Sequence, residues 1–97
     1  MKLEVSTFRS DCSDKEQALK VLEEAAEVYG AWQNYDDLWC KLYGIPEDQR
    51  WYADSCLADE IADVITAACN LAERCGVDMQ GALERCEQRN RQRGRYD

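Results

Sequence analysis

The sequence predicts an all-α protein, and two observations carry that expectation. Apolar residues recur at spacings of three and four over two long stretches, whereas no stretch alternates with period two for long enough to make a strand. Each periodic stretch is also bracketed by residues that start or stop helices. The 97 residues make one small domain, of a size that buries about 60–65% of the surface its unfolded chain exposes. With 45% hydrophobic and 33% charged residues, the composition is that of a chain that folds.

Residues 1–12 read as an irregular segment with Val5 and Phe8 as its anchors. The first helix starts at Ser13, where Ser13 and Glu16 form a capping box. Ala18, Leu22, Ala25, Tyr29 and Trp32 then build one apolar stripe. The pattern fades at Gln33-Asn34, and Leu38 and Leu42 either extend the helix to Tyr43 or form a separate turn before Gly44. Ile45-Pro46-Glu47-Asp48 marks a second start, with Pro at the first helical position and acids in the first turn. That helix either runs on or breaks at Asp54-Ser55. From Leu57 the face Leu57, Ile61, Val64, Ala68, Leu71 and Cys75 leads to a stop at Gly76. Asp78 caps a third helix carrying Met79, Ala82, Leu83 and Cys86.

Composition excludes several kinds of chemistry. No histidine is present, which removes Cys/His zinc fingers, Ser-His-Asp and Cys-His hydrolases and any imidazole base. The six cysteines include no CxxC pair, and with 5 Gly and 1 Pro the chain lacks the loop-rich character of a disulfide scaffold, so the thiols are expected to be reduced. Cys69 and Cys75 are expected to act as small core hydrophobes. No apolar run reaches the length of a membrane span and no signal-peptide core follows Met1, so a cytoplasmic protein without a membrane partner is expected. The net charge of −8 divides into −11 over residues 1–84 and +3 over the arginine-rich residues 85–97. The acidic body makes nucleic acid an improbable partner and permits a metal, and the tail suits a phosphate.

Glu24 and Glu27 on the first helix, and Glu60 and Asp63 on the second, are i, i+3 pairs, each projecting from one side of its helix. Taken singly such pairs are usually solvated. Glu60, however, lies at the edge of an apolar face among Leu57, Val64 and Leu71, so it is expected to point at a neighbouring helix. Antiparallel packing would converge four carboxylates, a repulsion that a hard, oxygen-ligated cation such as Mg²⁺ or Mn²⁺ resolves.

The runs Glu23-Glu24-Ala25-Ala26-Glu27-Val28-Tyr29 and Leu57-Ala58-Asp59-Glu60-Ile61-Ala62-Asp63-Val64 and the ending from Gly76-Val77-Asp78 to Arg89-Asn90-Arg91-Gln92-Arg93-Gly94-Arg95-Tyr96 resemble the MazG-like nucleotide pyrophosphohydrolases. These belong to the all-α NTP pyrophosphatases, and the likeness spans residues 15–96. It implies a helical bundle completed by association into a homodimer or homotetramer. It also implies Mg²⁺ on Glu24, Glu27, Glu60 and Asp63, and hydrolysis of nucleoside triphosphates to monophosphate and pyrophosphate. Glu27, with Glu24 beside it, is the carboxylate expected to act on the attacking water. Asn90, Arg93 and Arg95 are expected at the phosphates. Two departures stand out: residues 34–55 form an aromatic-rich insertion, and Cys86 replaces a common lysine, a role left to Arg85 or Arg89. Trp32, Trp39 and Trp51 are candidates to stack on a base, or to pack in the core or a subunit interface. The alternative is a non-catalytic helical interaction module whose acids are merely a solvated face.

Overall fold

A computed structural model describes residues 1–40 and 46–97. Three helices follow one another, α1 (Asp14–Cys40), α2 (Glu47–Arg74) and α3 (Met79–Gln92), and no strand occurs among the described residues. The all-α expectation is met.

Local signals set the helix ends. The Ser13 hydroxyl accepts from the Glu16 backbone N–H at 3.1 Å and so satisfies one of the free donors of α1. The helix then continues through the Gln33-Asn34 fade to Cys40, while the expected alternatives at 41–45 lie outside the described residues. Pro46 caps α2 from the position just before its first turn, and the helix passes Asp54-Ser55 without a break. The segment expected as an insertion therefore lengthens both helices. At the end of α2, Gly76 takes φ +66°, with Val77 N–H bonded to the Ala72 carbonyl at 2.9 Å and Gly76 N–H to Glu73 at 3.3 Å. This Schellman turn recurs after α3 at Gly94 (φ +70°), where Arg95 N–H reaches the Asn90 carbonyl at 3.0 Å. The Asp78 carboxylate caps α3 by accepting from Gly81 N–H at 3.1 Å.

α1 and α2 form an antiparallel pair. Asp14 meets Arg74, Gln17 meets Ala67, and Trp39 meets Asp54, so the register holds along its length. Along the seam lie Gln17, Val21, Glu24, Val28, Ala31, Tyr35 and Leu38 of α1 against Ala53, Leu57, Glu60, Val64, Ala67, Asn70 and Leu71 of α2. Among the described residues the buried apolar ones are alanines, Ala53, Ala67 and Ala72, and small side chains of this kind let two helix backbones come close.

The apolar stripe expected to face the core does not. Ala18, Leu22, Ala25, Tyr29 and Trp32 are exposed, with Leu22 67%, Tyr29 60% and Trp32 45% accessible. Of the expected α2 face, Leu57, Val64 and Leu71 reach the seam, but Ile61, Ala68 and Cys75 stay exposed. At 100° per residue these outward residues fall to one side of the seam on both helices, and the acids fall to the other. Periodicity found an apolar arc on each helix, but a wide arc does not reveal which edge the neighbour covers. Cys75, expected in the core, is exposed at the α2 C-terminus, and Cys69 is half-buried. Five cysteines among the described residues are free thiols.

The N-terminal segment is held by polar contacts and not by the expected Phe8 side chain, which is exposed. Phe8 N–H donates to the buried Asn70 Oδ1 at 2.9 Å. Arg74, with its side chain 8% exposed, donates to Asp14 Oδ1 at 2.9 Å, to the Ser10 carbonyl at 3.1 Å and to the Cys12 carbonyl. Buried Gln17 donates to the Ala67 carbonyl at 3.1 Å and accepts from the Cys12 thiol.

α3 stands off this pair. The radius of gyration is 16.8 Å, whereas a compact chain of this length has about 12–13 Å. No helix of the described residues is long and apolar enough to cross a membrane.

Arg74→Ala should destabilise the fold by about 2–4 kcal/mol, because charge-assisted bonds are lost and two backbone carbonyls lose their donor. Limited proteolysis checks this through faster cleavage within residues 1–12, and cleavage at the wild-type rate would contradict it.

Candidate metal centre

The register that sets Gln17 against Ala67 brings Glu24 and Glu60 face to face at the middle of the seam. Glu24 and Glu60 are half-buried and Asp63 is exposed, and one carboxylate oxygen from each lies within 4.8 Å of the others. The Oε2 atoms of Glu24 and Glu60 are buried with no hydrogen-bond partner. Buried carboxylate oxygens are ordinarily paired, since removing charge from water without compensation is costly.

Both groups respond electrostatically. Burial, followed by the Glu27 carboxylate and then Asp63, raises the Glu24 pKa above its ordinary 4.5, with Lys20 opposing. Burial also raises Glu60, assisted by a hydrogen bond and charge from Glu27 and by the charges of Asp63 and Glu24. Glu27 is therefore near enough to act on both, although it is exposed and stands outside the close trio. Two helices thus bring together all four sequence-predicted acids, three tightly and one at the rim.

This donor set fits a hard divalent cation. All donors are carboxylate oxygens, they converge from two rigid elements, and two of them have no protein partner.

The remaining predicted site residues lie elsewhere. Asn90 is half-buried on α3, with its amide 3.7 Å from the Cys86 sulfur. Arg93 and Arg95 are exposed past the helix end, and Arg91 pairs with Glu87 at 2.8 Å and lies over Tyr96. Arg85 and Arg89 are exposed as well. Because α3 stands off α1 and α2, a single chain does not bring these groups to the acids. Trp32 stacks on Tyr29 (ring centroids 6.1 Å apart) on the side away from the acids. Trp39 donates to Asp54 at 3.0 Å, and Trp51 is 68% exposed. Sequence reasoning missed Gln17 and Asn70, whose signal is a polar side chain at a seam position, and Arg74, whose partners lie in the distant N-terminal segment. No family model, curated protein or solved structure matches the chain.

A carboxyl whose pKa is raised by folding adds stability below its unfolded value and loses it as pH rises through the folded value. Without divalent cations, the melting temperature should therefore fall as pH climbs through the raised values of Glu24 and Glu60. Glu60→Gln, which relieves the repulsion at equal volume, should melt a few degrees higher than wild type at neutral pH and show a shallower pH dependence. Parallel curves for the two proteins in thermal melts would contradict the shared site.

Proposed function

We propose that this protein is a Mg²⁺-dependent nucleoside triphosphate pyrophosphohydrolase, with Mn²⁺ as an alternative metal, that releases monophosphate and pyrophosphate. The observation that carries the reading is the pair of buried, unpartnered oxygens on Glu24 and Glu60, set beside Asp63 and Glu27. The resemblance to MazG-like enzymes supports it. Glu24, Glu60 and Asp63 would hold the cation, with Glu27 at its edge. When bound, Mg²⁺ supplies positive charge for phosphate oxygens and lowers the pKa of a water. Glu27, exposed and adjoining the trio, would orient the attacking water and take its proton. The water oxygen bonds to the α-phosphorus, the bond from that phosphorus to the bridging oxygen breaks, and pyrophosphate leaves. Glu24, half-buried, supports Glu27 from one turn earlier.

Asn90, Arg93 and Arg95 supply donors for the triphosphate charge. Because α3 stands off its own acids, they do this across a contact between copies. The exposed Leu22, Tyr29, Trp32 and Ile61 offer the surface for such an association, in a homodimer or homotetramer. That same apolar side is what favours the alternative of a non-catalytic assembly module.

Pyrophosphate release from mixed (d)NTPs should require Mg²⁺ or Mn²⁺ and fall at least a hundredfold in Glu60→Gln. No metal-dependent release with any of the eight common nucleotides would leave the assembly module as the better account. Glu60→Gln mixed with the double variant Asn90→Ala, Arg93→Ala should recover part of the activity that each lacks alone. Absence of recovery would show that the tail does not serve a neighbouring copy.

A further inference from the structure

The side of the helix pair that bears the acids does not end at Glu27 and Asp63. Glu24, Glu27, Asn34 and Leu38 succeed one another along α1, and Asp63, Glu60, Tyr52 and Gln49 along α2, at spacings that keep each set on one side of its helix. Because the helices are antiparallel, the two sets run along the same side of the seam. Beyond the acids lies a cleft of ≈ 570 Å³ lined by Asn34, Leu38, Gln49 and Tyr52 of this side and by Asp48 and Trp51, which lie further round α2. That volume falls within the range of about 300–1,000 Å³ of small-molecule sites. Its distance from the acids follows from the helix rise: seven residues from Glu27 to Asn34, and eight from Glu60 to Tyr52, give about 10–12 Å.

The lining has a definite chemical character. Trp51 and Tyr52 present aromatic rings that are 68% and 65% exposed, Leu38 adds an aliphatic wall, and Asn34 and Gln49 bring amides that both donate and accept. Large exposed aromatics cost free energy in water, and a flat π-system recovers it by stacking. Near the cleft, Trp39 Nε1 bonds to Asp54 across the two helices and the Arg50 guanidinium covers the Trp39 ring at 5.2 Å from its centroid, in a neighbouring recess that shares only Trp51 with the cleft. The Tyr52 hydroxyl engages the Cys56 thiol one turn along, which raises its pKa and leaves it neutral at physiological pH.

We propose that this cleft holds the base of the nucleotide whose phosphates lie at the acids, with Trp51 or Tyr52 stacked on the ring and Asn34 and Gln49 reading its polar edge. The inference rests on the pyrophosphohydrolase reading for the identity of the ligand. The span between cleft and acids matches a nucleotide from its phosphates to its base, and the cleft lies in the segment where the chain departs from the MazG-like pattern.

Nucleosides, which carry the base without phosphates, separate the two claims. In amide and indole NMR spectra of the full chain without metal, millimolar adenosine, guanosine, cytidine or thymidine should shift the Asn34 and Gln49 side-chain amides and the Trp51 indole. Inorganic triphosphate with Mg²⁺ should instead shift residues 24–27 and 60–63. Trp51→Ala should weaken nucleoside binding about tenfold or more, and Gln49→Ala, at an exposed position, should change the order of preference among the four bases. Nucleoside binding without any pyrophosphate release would uphold the cleft and remove the enzymatic reading. Pyrophosphate release with no nucleoside response, or with a response elsewhere, would overturn the cleft alone. If the same resonances move on dilution of the protein, a second copy covers this surface and the proposal fails.

Discussion

Everything distinctive about this molecule depends on one unfavourable contact: Glu24 of α1 and Glu60 of α2 meet in a partly desolvated seam with no hydrogen-bond partner on their buried Oε2 atoms. A packed helix pair would ordinarily put Leu or Ile there. The cost is tolerated because the register is fixed on both sides of it. At one end Arg74 ties α2 to Asp14 and to the N-terminal segment, with Gln17 and Asn70 adding buried hydrogen bonds. At the other end Trp39 and Asp54 join the helices again. Between these two clasps neither helix can slide by a turn to separate the carboxylates.

The same clasps divide the surface by chemistry. One side of the seam carries Glu27, Asp63 and, farther along, the aromatic and amide cleft. The other carries Leu22, Tyr29, Trp32 and Ile61, apolar and uncovered in the single chain. With three alanines as the buried apolar core among the described residues and a radius of gyration well above that of a compact domain, the helix pair has the form of half a bundle. The acidic side and the apolar side are thus separate surfaces.

Much of this was legible in the sequence, but unevenly. Ser13, Gly76 and Asp78 act locally, and each marks its helix end where the residue type predicts. The acids were legible because an i, i+3 pair fixes its own side of a helix, and because Glu60 stands among apolar neighbours. The packing side was not. On α1 the most hydrophobic stripe faces outward, and the seam uses Gln17, Val21, Glu24 and Val28, two of them polar, so hydrophobicity alone does not mark the packed side. Arg74 gave no local sign of its role, since its partners Ser10, Cys12 and Asp14 lie some sixty residues away. The position of α3 was equally hidden, because its amphipathic pattern says that it buries a face without saying against which chain.

A cation held between Glu24 and Glu60 would replace their repulsion by coordination, and crystals soaked in Mn²⁺ and measured at a wavelength where manganese scatters anomalously would reveal such a site. One strong anomalous peak is expected within coordination distance of carboxylate oxygens of Glu24, Glu60 and Asp63 if the contact is a cation site. Manganese found only on other surface acids, or no peak with the two glutamates closed into a proton-sharing pair, would contradict it.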